Sequence, residues 1–232
     1  MKHNYNHQSV YSPIDVKKDG GLLMPAVEFK SGELTLEGYL ELPEGSGPFP
    51  ASIVCHPHSL YGGSMHNNVV MGVCTHLVRS GVAALRFNFR GVGRSEGQFG
   101  EGIKEQDDAR AALDFLLKRD EIDGERIALT GYSFGAFVGL AALSESDNIK
   151  ALVAISPPLT LFEFDYLKSC TKPKIMLIGD MDQFTPETVF NDFYSELPEP
   201  KEKRILQGAD HFYWGYEDEV GKTVAEFLLK TL

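Results

Sequence analysis

The chain changes rhythm near residue 50. Before that point, Val27–Ser31 and Leu34–Leu42 alternate apolar and polar positions around Ser31-Gly32-Glu33, which predicts an antiparallel hairpin with one buried face. After it, short continuous apolar runs take turns with segments of helical period. Ala51–Cys55, Val82–Phe89, Arg126–Gly131, Ala151–Ile155, Lys174–Ile178 and Lys203–Leu206 predict strands buried on both faces. Helical periods fall over Asn67–Ser80, Glu105–Lys118, Ser133–Leu143, Glu187–Leu197 and Val220–Leu229. In Glu105–Lys118, for example, Ala109, Ala112, Leu113, Leu116 and Leu117 share one face. Strand and helix in alternation predict an α/β fold: a mostly parallel twisted sheet with helices on both faces and the hairpin as its antiparallel N-terminal edge. Pro43–Pro50 reads as a turn segment. The first 24 residues are polar and aperiodic, with Gly20-Gly21 near their end, and read as an N-terminal arm. That leaves residues 25–232 as a single domain.

Composition narrows the partners more than the fold. At 232 residues, 43% apolar and 24% charged, the chain has room for one generous core. Its net charge of −11 disfavours nucleic acid and anionic membrane and fits a small-molecule substrate. No apolar stretch reaches the ~18 residues of a membrane span, and the N-terminus lacks the apolar centre of a secretory signal. The cytoplasm is therefore the expected compartment, with a homodimer left open. Cys55, Cys74 and Cys170 are odd in number and without C-x-x-C spacing, so they are expected as buried reduced thiols.

Candidate chemistry begins with a repeated pattern. Gly-x-Ser-x-Gly occurs at Gly93-Arg94-Ser95-Glu96-Gly97 and again at Gly131-Tyr132-Ser133-Phe134-Gly135. A nucleophilic serine needs an exposed hydroxyl on a sharp strand-to-helix turn, where the helix N-terminus also favours developing negative charge. Ser133 has a strand before it and a helix after it. Ser95 runs into EGQFGEGIKEQ, too rich in glycine for an immediate helix, and reads as a loop residue. The same loop fails as a dinucleotide fingerprint, because Glu96 stands where the third glycine belongs. Arg90, Gly91 and Gly93 are expected to shape a turn below the site. Downstream, Gly179-Asp180-Met181-Asp182 ends one strand with two acids, and Gly208-Ala209-Asp210-His211 ends the last with a histidine. Loops at the carboxyl ends of parallel strands are where such sheets build sites, and the order Ser…Asp…His suits a hydrolase. His56, His58 and His66 have no acidic ligand patterned with them, so no metal is expected, and serine chemistry requires no cofactor.

On these motifs residues 27–232 resemble the α/β-hydrolase superfamily, and within it the small capless bacterial serine hydrolases of the dienelactone-hydrolase-like and carboxylesterase group. The resemblance implies Ser133 as nucleophile, His211 as base and Asp182, four residues before Pro186, rather than Asp180, as acid. It places an oxyanion loop at Cys55–Met65, with N–H donors from Phe134 and from His58; Ser59 and Leu60 are rivals for the second. Pro57 stands where the family more often has glycine and donates no N–H. Only Ser156 to Pro173 lie where capped members insert a further domain, so an open site for esters of small or short-acyl substrates is implied. Tyr61, Phe212 and Trp214, with Phe162 and Phe164, are candidate walls of the substrate pocket, and ordinary packing is their competing role. Thioesterase, peptidase and dienelactone-type lactonase activities share the triad. A catalytically silent binding protein of the same fold is the alternative from another class.

Overall fold

A computed structural model describes residues 17–19, 22–24 and 26–232. The arm falls mostly outside the described residues, as does Gly20-Gly21. Within it, β1 (Lys17–Asp19) and β2 (Leu22–Met24) pair antiparallel.

The expected hairpin is β3 (Ala26–Ser31) and β4 (Leu34–Glu41), in register from Ala26↔Tyr39 to Ser31↔Leu34. It joins β5 (Phe49–Cys55), β6 (Ala83–Phe87), β7 (Ile122–Tyr132), β8 (Ile149–Ile155), β9 (Lys174–Gly179) and β10 (Lys201–Leu206) in one sheet of eight strands. The order is β10-β9-β8-β7-β5-β6-β4-β3, parallel from β10 to β6 and antiparallel from β6 to β3.

Helices cover both faces because successive strand residues point to opposite sides. Ile53, Leu129, Leu152 and Met176 share a core with α2 (Glu105–Leu116), α3 (Phe134–Leu143) and Phe190 of α4 (Glu187–Glu196). Their neighbours Val54, Ala128, Val153 and Leu177 share the other core with α1 (Asn68–Arg79) and α5 (Glu217–Thr231). Asn67 caps α1, its Oδ1 accepting from the N–H groups of Val69 and Val70.

Several elements run further than their apolar runs suggest. β7 starts at Ile122 rather than Arg126, β10 at Lys201 rather than Lys203, and α5 covers Glu217–Thr231. Apart from buried Ile122, the added residues carry no run of apolar side chains, so backbone pairing or helix propagation extends these elements without an apolar signature. The strand after α1 is shorter than expected, ending at Phe87. Cys55 and Cys74 are buried, where desolvation pushes both thiols up; Cys170 is only half-buried.

Arg90 clamps the glycine-rich segment to α2. Its Nε and Nη2 donate to Asp108 at 2.7 to 3.1 Å, and its backbone N–H adds a bond of 3.0 Å to the same carboxylate. Between β8 and β9 the chain holds one short 3-10 turn, Asp165–Lys168, and no large insertion.

Candidate active site

Ser133 stands between β7 and α3 with φ 54° and ψ −120°, a left-handed conformation that an ordinary side chain adopts only under strain. Its flanking glycines have a steric reason. A Cβ on Gly131 would lie 2.4 Å from the Cα of Ala136, and one on Gly135 would lie 2.3 Å from the carbonyl oxygen of Cys55. The turn can be this tight only if both positions lack side chains. The Ser133 N–H donates to the Ile155 carbonyl at 2.8 Å, which ties the turn to β8.

The loops after β9 and β10 bring the partners in. His211 Nε2 lies 2.9 Å from Ser133 Oγ, and His211 Nδ1 lies 2.9 Å from Asp182 Oδ2. Asp182 Oδ1 accepts from the N–H groups of Phe184 at 2.8 Å and Thr185 at 3.1 Å. Burial pushes the Asp182 carboxyl up. The hydrogen bond and charge of His211, with further bonds from Ser156 and Phe184, outweigh it and hold the carboxyl below its usual value. An ionised Asp182 fixes the His211 proton on Nδ1, leaving Nε2 to accept from the serine hydroxyl. Asp180 sits elsewhere: its Oδ1 accepts from the Gly208 N–H at 2.7 Å.

Three supports of this triad left no trace in the linear sequence. Tyr132 OH donates to the His211 carbonyl at 2.7 Å. Thr185 Oγ1 donates to the Pro157 carbonyl and accepts from the Leu159 N–H, lacing the acid loop to the segment after β8. The Ser156 hydroxyl pairs with Tyr213 OH at 2.8 Å. All three join residues more than twenty positions apart, which no local spacing reveals.

The other Gly-x-Ser-x-Gly contributes no side chain to this triad. Ser95 is buried, its Oγ donating to the Asn88 carbonyl at 2.7 Å and accepting from the Glu37 N–H at 3.1 Å.

The loop after β5 lies against the start of α3. His58 Nδ1 accepts from the Leu60 N–H at 3.2 Å, and its ring centroid is 4.5 Å from that of Phe134. The backbone N–H groups of His58 and Phe134 meet no acceptor among the described residues. His56 is buried and bonded at both ring nitrogens, to the Pro57 carbonyl and to the Phe89 N–H. Aromatic rings flank the site: Phe99 and Tyr61 at 5.0 and 4.8 Å from His58, Phe162 stacked on Phe137 at 4.3 Å, and Phe184 at 4.6 Å from His211. Of the candidate pocket walls, Tyr61 is 87% exposed, Trp214 73% and Phe212 46%, while Phe164 is buried. Phe99, Phe137 and Phe184 were not singled out by the sequence, because a lone aromatic carries no sign of its neighbours.

Fold and site together define a serine hydrolase of the α/β-hydrolase fold, with a Ser-His-Asp triad and without a large cap. Residues 32–171 match the family model for X-Pro dipeptidyl-peptidase (S15 family), and the chain belongs to that family. It is 34% identical over 215 residues to an uncharacterized protein of Rickettsia prowazekii, covering 89% of each. An α/β serine hydrolase without lid from Xanthomonas campestris is similar at TM-score 0.79 and 30% identity, over 89% of this chain and 94% of that one. An α/β serine hydrolase homologue from Coxiella burnetii is similar at TM-score 0.79 and 30% identity, over 87% and 95%.

Proposed function

We propose that the protein is a carboxylesterase of the dienelactone-hydrolase-like group, acting in the cytoplasm on esters of small or short-acyl substrates. The observation that carries this reading is the His211 imidazole, placed 2.9 Å from both Ser133 Oγ and Asp182 Oδ2. Ser133 Oγ attacks the ester carbonyl while His211 Nε2 takes its proton. The imidazolium, stabilised by Asp182, gives that proton to the leaving alcohol. Water then repeats the sequence and releases the acid. The Phe134 and His58 N–H groups receive the oxyanion, each contributing on the order of 3 kcal/mol to lowering the barrier. Tyr61, Phe212 and Trp214 are assigned to the rim of the substrate site. Their exposure and the short β8–β9 connection support an open site with little wall for a long chain.

A peptidase reading has one specific support, the S15 family model over residues 32–171. That match ends before Asp182 and His211, so it spans the nucleophile and not its partners.

One experiment separates the readings. A fluorophosphonate should label Ser133, and p-nitrophenyl esters should be hydrolysed best at about two to six acyl carbons, with each walled methylene contributing roughly 0.8 kcal/mol until the pocket ends. X-Pro p-nitroanilides should be poor substrates. Faster turnover of the anilides than of any ester would replace the esterase with a peptidase.

A further inference from the structure

His56 is a buried histidine that the triad does not use. Its Nε2 lies 3.1 Å from the Phe89 nitrogen, a donor only, so Nε2 accepts and the ring proton sits on Nδ1. Nδ1 then donates to the Pro57 carbonyl oxygen at 2.6 Å. That oxygen belongs to the peptide unit whose N–H is that of His58. A trans peptide is planar, so its C=O and N–H point in opposite directions. Holding the oxygen on the His56 side sets the line along which the His58 N–H projects.

The far end of the same loop is tied one residue earlier in the chain. The Asn88 carboxamide oxygen accepts from the Met65 N–H at 2.8 Å. Its nitrogen donates to Glu37 Oε1, which also accepts from the Arg94 N–H, while Ser95 Oγ holds the Asn88 carbonyl. Between the two ties, Gly63 folds back so closely that a Cβ there would lie 2.0 Å from the Pro57 oxygen, and its N–H donates to the His58 carbonyl at 3.0 Å. Consecutive residues after β6, Asn88 and Phe89, therefore grip both ends of the loop. The turn Gly93–Gly97 braces Asn88 from behind.

We propose that His56 is a positioning residue that aims the His58 N–H at the oxyanion, with Asn88 and the Gly93–Gly97 turn securing the other end of the loop. This rests on the oxyanion role assigned to His58. It gives the second Gly-x-Ser-x-Gly a task at the same site, performed through backbone placement rather than through its hydroxyl as a reagent.

The test separates the two bonds of the ring. His56→Asn puts an amide near the Nδ1 position, able to donate to the Pro57 oxygen and too short to reach the Phe89 N–H. His56→Gln puts its amide near Nε2, able to accept from Phe89 and unable to serve Pro57. Ester kcat, KM, the rate of fluorophosphonate labelling and Tm are measured for both. An oxyanion donor acts on the transition state, so kcat and labelling rate should fall together while KM stays within about twofold. The Gln variant should lie about tenfold or more below the Asn variant in kcat, whatever their order in Tm. A Gln variant equal to or faster than Asn, or activity that simply follows Tm, would overturn the proposal. Should neither variant fold, Asn88→Ala carries the same test: kcat reduced about tenfold at unchanged KM supports it, and wild-type kcat overturns it. Failure of the esterase reading is distinct, because it is read on wild-type protein alone: X-Pro p-nitroanilides would then be turned over faster than any ester, whatever the ranking of the His56 variants.

Discussion

The turns Gly93–Gly97 and Gly131–Gly135 share a five-residue pattern and place their serines in opposite circumstances. Ser133 holds its hydroxyl toward His211 from a left-handed backbone, with a helix starting at the next residue. Ser95 is buried and commits its only proton to the Asn88 carbonyl while accepting from the Glu37 N–H, so no base among the described residues is placed to activate it. The glycines differ in the same sense. Those beside Ser133 admit backbone, the Cα of Ala136 and the carbonyl of Cys55. Gly93, at φ +58°, makes room for side chains instead: a Cβ there would lie 2.3 Å from Glu37 Oε1 and 2.6 Å from Asn88 Nδ2. A serine becomes a reagent when the backbone isolates its hydroxyl, and a strut when its neighbours consume it.

Exchanging the two serines for alanine is the strongest way to break this contrast. Ser133→Ala should lose all labelling by a fluorophosphonate and about 10⁵-fold or more in kcat, as removals of triad nucleophiles do. Ser95→Ala should still take the label on Ser133 and should lower Tm, since two buried hydrogen bonds together contribute roughly 1 to 3 kcal/mol. A labelled peptide containing Ser95 would reverse the roles.

The two acids after β9 sharpen it next. Asp182→Asn leaves the carboxamide nitrogen or oxygen to face His211 and disfavours the Nδ1–H tautomer, so kcat should drop about 10²- to 10⁴-fold with Tm little changed. Asp180→Asn touches only the Gly208 N–H and should cost less than about threefold in kcat, as expected of a change away from the reacting atoms. Equal losses in the two variants would mean that the acid is not held by Asp182 alone.

The smallest effect concerns the brace rather than the reagent. Burial, with the neighbouring charge of His58, lowers His56 from 6.5 to about 4 despite its bond to the Pro57 carbonyl. Unfolded His56 takes up a proton below pH 6.5, and the folded residue only below about 4. Between those values the unfolded state binds more protons, so stability falls as pH falls, by at most about 3 kcal/mol for this group. Calorimetry from pH 7 to 4 should show a Tm decline of roughly 6 to 12 °C from this source, on typical unfolding entropies for a chain of this size. His56→Asn should remove that component. An identical decline in the variant would assign the acid sensitivity to other groups.

The triad was legible because three independent signals converged on it: a strand-to-helix turn with small flanks, an acid and a histidine at later strand ends, and their order. The strand-to-helix context also separated Ser133 from Ser95 before any contact was visible. Long-range hydroxyl partners were beyond reach. Thr185 and Ser156 look like ordinary loop residues, and Tyr132 lies inside the motif without showing that its OH meets the His211 carbonyl. Polar strand ends were hidden for a related reason. Asp123-Gly124-Glu125-Arg126 carries no apolar pattern, yet it continues β7 from Ile122, which pairs with Phe49 across a register shift. His56 was read as a residue of the oxyanion loop rather than a metal ligand, and its positioning bonds were not legible because both partners, the Pro57 carbonyl and the Phe89 N–H, are backbone atoms.

The charged start of β10 has a consequence for crowding and assembly. Among the described residues this strand pairs only with β9, so its outer edge offers unpaired peptide groups to any passing strand. Lys201, Glu202, Lys203 and Arg204 follow one another there, the last three exposed. An incoming strand would have to strip water from that row of ions before gaining a single ladder bond. The opposite border, β3, carries exposed Glu28 and Lys30 in the same manner. Polymerisation through continued sheets is thereby discouraged at both borders of the described sheet.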